Sequence, residues 1–187
     1  KSDKVINNPY NKRQEVLAKK VQRGEIRSKD GKVLAKTKTD STGKDTRIYP
    51  YDEIFAPVVG RISNSMTGIE KQQCYPLLTS HVNPLLQLTI TLKVEKNPGD
   101  RVFTTLDAKL QTIAYQALGN HKGAVVAIEP STGKVLAMVS KPSYDPNTVA
   151  KNWSSLTVAT TAILSANFRR FAAGANPMCV SLIKSRY

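Results

Sequence analysis

Three segments of the chain place a lysine three residues after a serine, the spacing found in nucleophiles that form an acyl-enzyme. On a helix, this spacing lets the lysine amine lie close to the serine hydroxyl and help to remove its proton. The segments are Ser41 to Lys44, Ser131 to Lys134 and Ser181 to Lys184. The first two contain Thr-Gly, which favours a turn over a helix, and the third lies close to the final Tyr187. We expect no catalytic residue among the three, and Ser181 with Lys184 is the one pair retained as a candidate.

Metal and cofactor sites are not expected. Cys74 and Cys179 are far apart in sequence, and only His81 and His121 could join them as ligands, which does not match a zinc-binding pattern. The segment from Ser131 to Lys134 lacks the preceding glycine of a phosphate-binding loop. The carboxylates have no spacing typical of hydrolysis, and we assign Asp100 and Asp107 to capping and solvation.

The charge of the chain is its most unusual bulk property. Its 187 residues can bury one sizeable core or two small ones, but the formal net charge is +14 and the pI is about 9.9. Such a surface attracts polyanions, so anionic wall polymer or a lipid surface are possible partners. Many of the basic residues alternate along the first fifty positions, which predicts a solvated sheet face; they include Lys19, Lys20, Arg23, Arg27, Lys29, Lys32, Lys36 and Lys38. No aromatic residues are interleaved with them, so no specific nucleic acid is expected.

No stretch of this sequence has the pattern of a membrane-spanning helix. The charge-free stretch at residues 152–168 is diluted by serine, threonine and asparagine. Any membrane anchor of the protein is expected to lie outside this chain.

Two β-hairpins and one helix are predicted with clear turn and capping signals. Asp30-Gly31 lies between runs at residues 25–28 and 32–35, and Pro130 to Gly133 joins apolar runs at residues 124–128 and 134–139. The second hairpin is apolar on both faces, which predicts strands buried from both sides in a core sheet.

A helix is predicted after Thr104 or Thr105, either of which could cap it, with Asp107 in its first turn. Its apolar residues recur at helical spacing before a stop at Gly119: Leu106, Leu110, Ile113, Ala114 and Ala117. A shorter helix is predicted over residues 70–78, bent or shortened by Pro76. Residues 7–11 and 143–147 have turn chemistry.

Several of these segments together resemble one protein family. Residues 122–140, followed by residues 142–147 and Trp153, look like the first strands of the penicillin-binding transpeptidase domain. Residues 99–107, with Leu110, Gln111 and Ala114, resemble the strand and helix that lead into that domain. Residues 23–35 and 67–70 resemble motifs of the N-terminal pedestal. The order along the chain is that of a class B penicillin-binding protein, over roughly residues 7 to 153.

The resemblance implies a single-pass membrane protein at the extracytoplasmic face of a bacterial membrane. Such a protein cross-links peptidoglycan by serine acylation and aminolysis. In the family, Ser-x-x-Lys precedes Ser-x-Asn and Lys-Thr-Gly. Here Ser165-Ala166-Asn167 precedes Ser181, and neither Lys-Thr-Gly nor Lys-Ser-Gly occurs. From about Thr157 the chain also lacks the sequence element that precedes the nucleophilic serine in the family. A reading-frame shift and a natural truncated paralogue are the two explanations for this difference.

The expected fold is α+β, with an extended pedestal of hairpins and short helices followed by a helix and hairpin of an incomplete transpeptidase sheet. The expected units are a pedestal at residues 1–98, the start of a transpeptidase domain at 99–156, and an atypical tail at 157–187. We expect a non-catalytic structural and interaction module that contacts peptidoglycan or cell-wall synthesis and division proteins and can self-associate. The alternatives are a minimal acyltransferase using Ser181 and Lys184, and a basic polyanion-binding protein.

Overall fold

The structure, a computed structural model, describes residues 13–82 and 96–151. Strands and short helices alternate along them. In chain order the elements are α1 (Arg13–Lys20), β1 (Val21–Gln22), β2 (Ile26–Arg27), β3 (Val33–Thr39), β4 (Asp45–Ile48), a 3-10 turn (Asp52–Ile54), α2 (Ala56–Val59), α3 (Gly68–Gln72), α4 (Cys74–Leu77), β5 (Asn97–Pro98), β6 (Val102–Phe103), α5 (Ala108–Ala117), β7 (Gly123–Glu129) and β8 (Lys134–Lys141). No helix among these is long and apolar enough to cross a bilayer.

A four-stranded sheet in the order β4-β3-β2-β6 organises the N-terminal part. The predicted hairpin at Asp30-Gly31 is confirmed: β2 and β3 are antiparallel, and Gly31 has a φ of 77°, a left-handed conformation that glycine adopts without strain. Strand β6 joins β2 in parallel, with Ile26 opposite Val102. A separate parallel pair is formed by β1 and β5.

One hydrophobic core lies beneath this sheet and continues towards α5. It contains side chains from the sheet, from the short helices and from the start of α5, including Ile26, Leu34, Phe55, Val59, Leu77, Val102 and Leu106. All seven are at most 2% exposed. Burial of this apolar surface is the main stabilising term for the N-terminal part.

The helix predicted over residues 70–78 is two short helices, α3 and α4. Helix α3 ends at Gln72, four residues before Pro76. Proline has no N–H to donate to the carbonyl of the residue four positions earlier, and its ring clashes with that carbonyl. The proline therefore breaks the helix near Gln73 rather than merely bending it.

Helix α5 forms where predicted, but its cap differs from the prediction. Asp107 is the N-cap residue, and its carboxylate accepts a hydrogen bond from the Leu110 N–H. Thr104 and Thr105 do not cap the helix: the Thr104 hydroxyl accepts from the Leu106 N–H, and the Thr105 hydroxyl donates to the Val135 carbonyl at 2.7 Å.

The buried face of α5 also differs from its apolar stripe. Ala108 and Gln111 are buried, whereas Ile113 is 50% exposed and Ala117 is exposed. The contacts with β8 determine this orientation, because the loop before α5 is bonded to that strand. An apolar stripe on α5 is consequently left partly open.

The second hairpin has the predicted strands, with Val125 opposite Val139 and Gly133 in the left-handed region. Its predicted burial from both sides is wrong for the described residues. Strand β8 buries Ala137, Val139 and Ser140, but β7 has no buried residue, and Ile128 is 40% exposed. The reason is that β7 has only β8 as a neighbour in this two-stranded sheet.

A mixture of helices and small sheets is therefore confirmed. The unit boundaries at residues 98 and 156 stay a prediction, and the turn predicted at residues 7–11 and the tail from residue 157 lie outside the described residues.

Candidate functional site

The serine–lysine pairs within the described residues lie in turns. Residues 41–44 form the β3–β4 turn, in which the Asp40 carboxylate accepts from the backbone N–H groups of Thr42 and Lys44. Ser131 lies in the β7–β8 turn. Neither segment has the helical geometry that would let the lysine activate the serine. Ser181, Lys184 and the segment 165–167 lie outside the described residues, so their assignment stays a prediction.

The cysteine and histidine residues are separated in the fold. Cys74 is buried beside Arg23, whose Nη1 lies 3.5 Å from its sulfur. His81 pairs with Asp100, with 2.6 Å between His81 Nδ1 and the carboxylate oxygen, and His121 is exposed. Within residues 13–82 and 96–151, no three potential metal-binding side chains come together. Cys179 is outside these ranges.

A buried ionic cluster joins three elements of the N-terminal part. The Glu70 carboxylate, on α3, is fully buried and accepts from Arg23 Nε at 2.7 Å and from Arg47 Nε at 2.8 Å. Arg47 Nη1 also donates to the carbonyl of Gly24 at 2.7 Å, and Arg23 Nη2 donates to the carbonyl of Glu70 at 2.6 Å. The cluster ties β4, α3 and the segment before β2 together.

This cluster corrects the prediction of a wholly solvated basic face. Lys36 and Lys38 are exposed as expected, but the Arg23 side chain is only 11% exposed. Burial is the largest influence on the Arg23 guanidinium and by itself lowers its pKa, but Glu70 and Cys74 together outweigh it, so the pKa lies above its ordinary value. Removing one partner from such a cluster leaves an uncompensated buried charge.

A second polar contact fixes the hairpin to helix α5. The amide of Gln111 is completely buried; its Oε1 accepts from Met138 N at 2.7 Å and its Nε2 donates to Met138 O at 2.8 Å. The same Nε2 donates to the Ile54 carbonyl at 2.9 Å. One side chain thus links α5, strand β8 and the 3-10 turn.

A third polar contact uses the same chemistry after β8. Asn147 Oδ1 accepts from Tyr49 N at 2.9 Å, and its Nδ2 donates to Tyr49 O at 3.0 Å. Nearby, the Ser143 hydroxyl donates to the Glu53 carbonyl at 2.7 Å. The loop that leaves β8 is therefore bonded to the end of β4 and to the 3-10 turn.

The start of α5 is bonded to the first hairpin. Lys29 N donates to the Leu106 carbonyl at 2.9 Å, and Lys29 Nζ lies 3.1 Å from the Asp107 carboxylate. The Asp107 pKa is lowered, first by the hydrogen bond from Leu110 N and then by Lys29. We name the set formed by Gln111, Asn147, Ser143 and the Lys29–Asp107 pair the junction.

The junction links the first hairpin, β4 and the 3-10 turn to α5, β8 and the loop that follows β8. Its contacts are side-chain amides, a serine hydroxyl and one ion pair bonded mainly to backbone groups, and none of its side chains is a nucleophile paired with a base. Sequence reasoning missed the roles of Arg47, Gln111 and Asn147, because each polar side chain lies among residues whose local patterns predict only a strand, a helix or a turn.

The chain is similar to known penicillin-binding proteins. The family description "Penicillin binding protein transpeptidase domain" matches residues 123–163, which begin with strand β7. The chain is 39% identical over 141 residues to the peptidoglycan D,D-transpeptidase PbpA of Mycobacterium tuberculosis, covering 70% of this chain and 28% of that protein. It is 30% identical over 146 residues to the peptidoglycan D,D-transpeptidase MrdA of Acinetobacter baumannii, covering 59% of this chain and 21% of that protein.

Solved structures of penicillin-binding proteins also resemble this chain. An imipenem acyl-enzyme complex of penicillin-binding protein A from M. tuberculosis superimposes with a TM-score of 0.59 at 32% identity, covering 86% of this chain and 37% of that one. A complex of Pseudomonas aeruginosa PBP2 with WCK 5153 gives a TM-score of 0.57 at 31% identity, covering 72% and 33%. The chain spans less than two fifths of the length of these relatives. It belongs to the class B penicillin-binding protein family.

Proposed function

We propose that this chain is a non-catalytic module of a peptidoglycan D,D-transpeptidase, consisting of the pedestal and the first elements of the transpeptidase domain. Its role is to hold the transpeptidase sheet at a fixed orientation on the pedestal. The observation that carries this proposal is Gln111, whose buried amide bonds to Met138 in the transpeptidase-type hairpin and to Ile54 in the pedestal. Asn147 adds a second link of the same kind.

The open apolar surfaces support an association with further structure. Ile113 on α5 is 50% exposed and Ile128 on β7 is 40% exposed. Exposed apolar stripes and unpaired strand edges favour burial against another surface. The remaining strands of a transpeptidase sheet would cover them, and self-association of the chain is the proposed outcome when those strands are absent. Light scattering at increasing protein concentration tests this, and a strictly monomeric mass throughout would contradict it.

A chimera tests the supporting role. Residues 13–151 replace the corresponding segment of M. tuberculosis PbpA, which supplies the remaining transpeptidase elements. We expect the chimera to be labelled by a fluorescent penicillin, and Gln111→Leu in the chimera to reduce labelling by disturbing the junction. A folded chimera that is not labelled would contradict the proposal.

The proposed place of action is the extracytoplasmic face of a bacterial membrane, with peptidoglycan and cell-wall synthesis or division proteins as partners. The D,D-transpeptidase relatives support this location. The alternative acyltransferase at Ser181 and Lys184 gains no support from the described residues.

A further inference from the structure

The β3–β4 hairpin gives the pedestal two distinguishable ends. At one end, Asn147 is bonded to Tyr49 just after β4, and Lys29, shortly before β3, is bonded to Leu106. The β3–β4 turn at residues 40–44 lies at the opposite end of the seven-residue strand β3, roughly 20 Å away at about 3.3 Å per residue. We call the end that carries this turn the distal end.

Helix α1 also lies at the distal end. Gln22, in β1, donates from Nε2 to the Thr39 hydroxyl at 2.7 Å, close to the β3–β4 turn. Further along the chain, Ile26 pairs with Ala35 and Arg27 pairs with Val33. The chain therefore runs away from the turn as it passes from β1 to β2, which places the preceding helix α1 at the distal end.

Exposed lysines from both segments gather at this end. They are Lys19 and Lys20 at the end of α1, Lys38 on β3 and Lys44 in the turn, all exposed. Of the acidic side chains described there, Asp45 is held by Lys96 at 2.7 Å, and Asp40 accepts from the turn backbone. Among the described residues, these four lysines form no ion pair, so the distal end carries excess positive charge.

Helix α1 adds an exposed apolar side chain to the same face. Val16 is 54% exposed and precedes Lys19 and Lys20 by three and four residues, the spacing that puts side chains on one side of a helix. An apolar residue beside lysines suits a helix that rests on a bilayer surface. Residues 16–22 and 36–47 contain no aromatic residue on which nucleic-acid bases could stack.

We propose that the distal end is a docking surface for anionic lipid headgroups. Lys19, Lys20, Lys38 and Lys44 contact the headgroup phosphates, and Val16 enters the interfacial layer. A surface of anionic headgroups complements these charges and also accommodates the valine. This inference depends on charge and exposure at the distal end, and it holds whether or not the chain acts as a transpeptidase support.

Vesicle binding by the full chain tests the proposal. Phosphatidylcholine vesicles with and without phosphatidylglycerol are the probe, and binding is expected only with phosphatidylglycerol and to weaken as salt rises. The triple variant Lys19→Gln/Lys20→Gln/Lys38→Gln should weaken binding roughly 100-fold, at about fivefold per lysine near an anionic surface.

A matched control removes the same charge elsewhere. Lys109, Lys122 and Lys134 are exposed on α5 and around the second hairpin, away from the distal end. Their triple change to glutamine should weaken binding much less. Equal losses in the two triple variants, or binding that does not depend on phosphatidylglycerol, would overturn the proposal.

A second comparison separates lipid from a soluble polyanion. Val16→Ser should weaken vesicle binding severalfold and leave binding to soluble polyphosphate unchanged, because only a bilayer offers an apolar layer for the valine. If Val16→Ser changes neither, and polyphosphate binds as tightly as the vesicles do, a soluble anionic polymer is the occupant and the lipid proposal is wrong.

Discussion

The side-chain amide of Gln111 pairs with the backbone of Met138 as a neighbouring strand would, accepting from its N–H at 2.7 Å and donating to its carbonyl at 2.8 Å. The backbone of Tyr49 is paired in the same two-way manner by Asn147. In both cases an amide satisfies backbone groups that the local sheets leave unpaired. Gln111 connects the 3-10 turn with strand β8, and Asn147 connects the end of β4 with the loop that follows β8.

Replacing Gln111 by leucine should destabilise the protein strongly. The change leaves the Met138 N–H and the carbonyls of Met138 and Ile54 without their partner. Because each buried unsatisfied group costs about 1–3 kcal/mol, we expect the free energy of unfolding to fall by about 3 kcal/mol or more. Chemical denaturation measures this. Gln116→Leu, on the exposed side of α5, is the control, and an equal effect of both changes would contradict the assigned role.

Replacing Glu70 by glutamine should be equally damaging, because it leaves the buried guanidinium groups of Arg23 and Arg47 without a counter-charge. Loss of one partner of a buried ion pair costs about 3–5 kcal/mol. Glu25→Gln is a matched control, since Glu25 pairs with Arg27 but its side chain is 30% exposed, and exposed pairs contribute about 0–1 kcal/mol. Urea denaturation that gives similar midpoints for both variants would refute this account of the cluster.

Two glycines with similar φ angles should respond differently to alanine. Gly60 has a φ of +83°, and a Cβ there would lie 2.0 Å from the Thr67 carbonyl oxygen; Gly43 has a φ of +78° with open space around it. Gly43→Ala should cost about 1 kcal/mol from backbone strain alone. Gly60→Ala should cost considerably more, because backbone atoms must also move apart. Thermal unfolding of the two variants side by side measures the difference, and equal melting temperatures would show that the close approach is unimportant.

The N-cap of α5 should make stability depend on pH in the acidic range. The pKa of Asp107 is lowered from its ordinary 3.8 by Leu110 N and Lys29. As pH falls, the Asp107 carboxylate is therefore protonated at a higher pH in the unfolded chain than in the folded protein. The stabilising contribution is complete above about pH 4 and is lost as pH falls through the lowered pKa. Asparagine can still cap a helix but does not titrate. The stability difference between the wild type and Asp107→Asn should therefore shrink below about pH 4; a difference independent of pH would contradict this.

Local features of the fold could be predicted from the sequence, whereas contacts between residues far apart in sequence could not. Asp30-Gly31 and Gly133 fix their hairpins by turn geometry alone, so both turns were predicted correctly. Gln111 could not be assigned in the same way, because its partners Ile54 and Met138 are 57 and 27 residues away in sequence. Arg23 likewise has the pattern of a surface residue until Glu70, 47 residues later, is brought against it.

Covalent labelling of the full chain tests the central claim most directly. The chain is incubated with a fluorescent penicillin and its intact mass is measured, with an intact D,D-transpeptidase relative as the positive control and Ser181→Ala as the variant. A non-catalytic module predicts an unchanged mass for the chain while the relative is fully labelled. An adduct that forms on the chain and disappears in Ser181→Ala would show that Ser181 is an active nucleophile and would contradict the account.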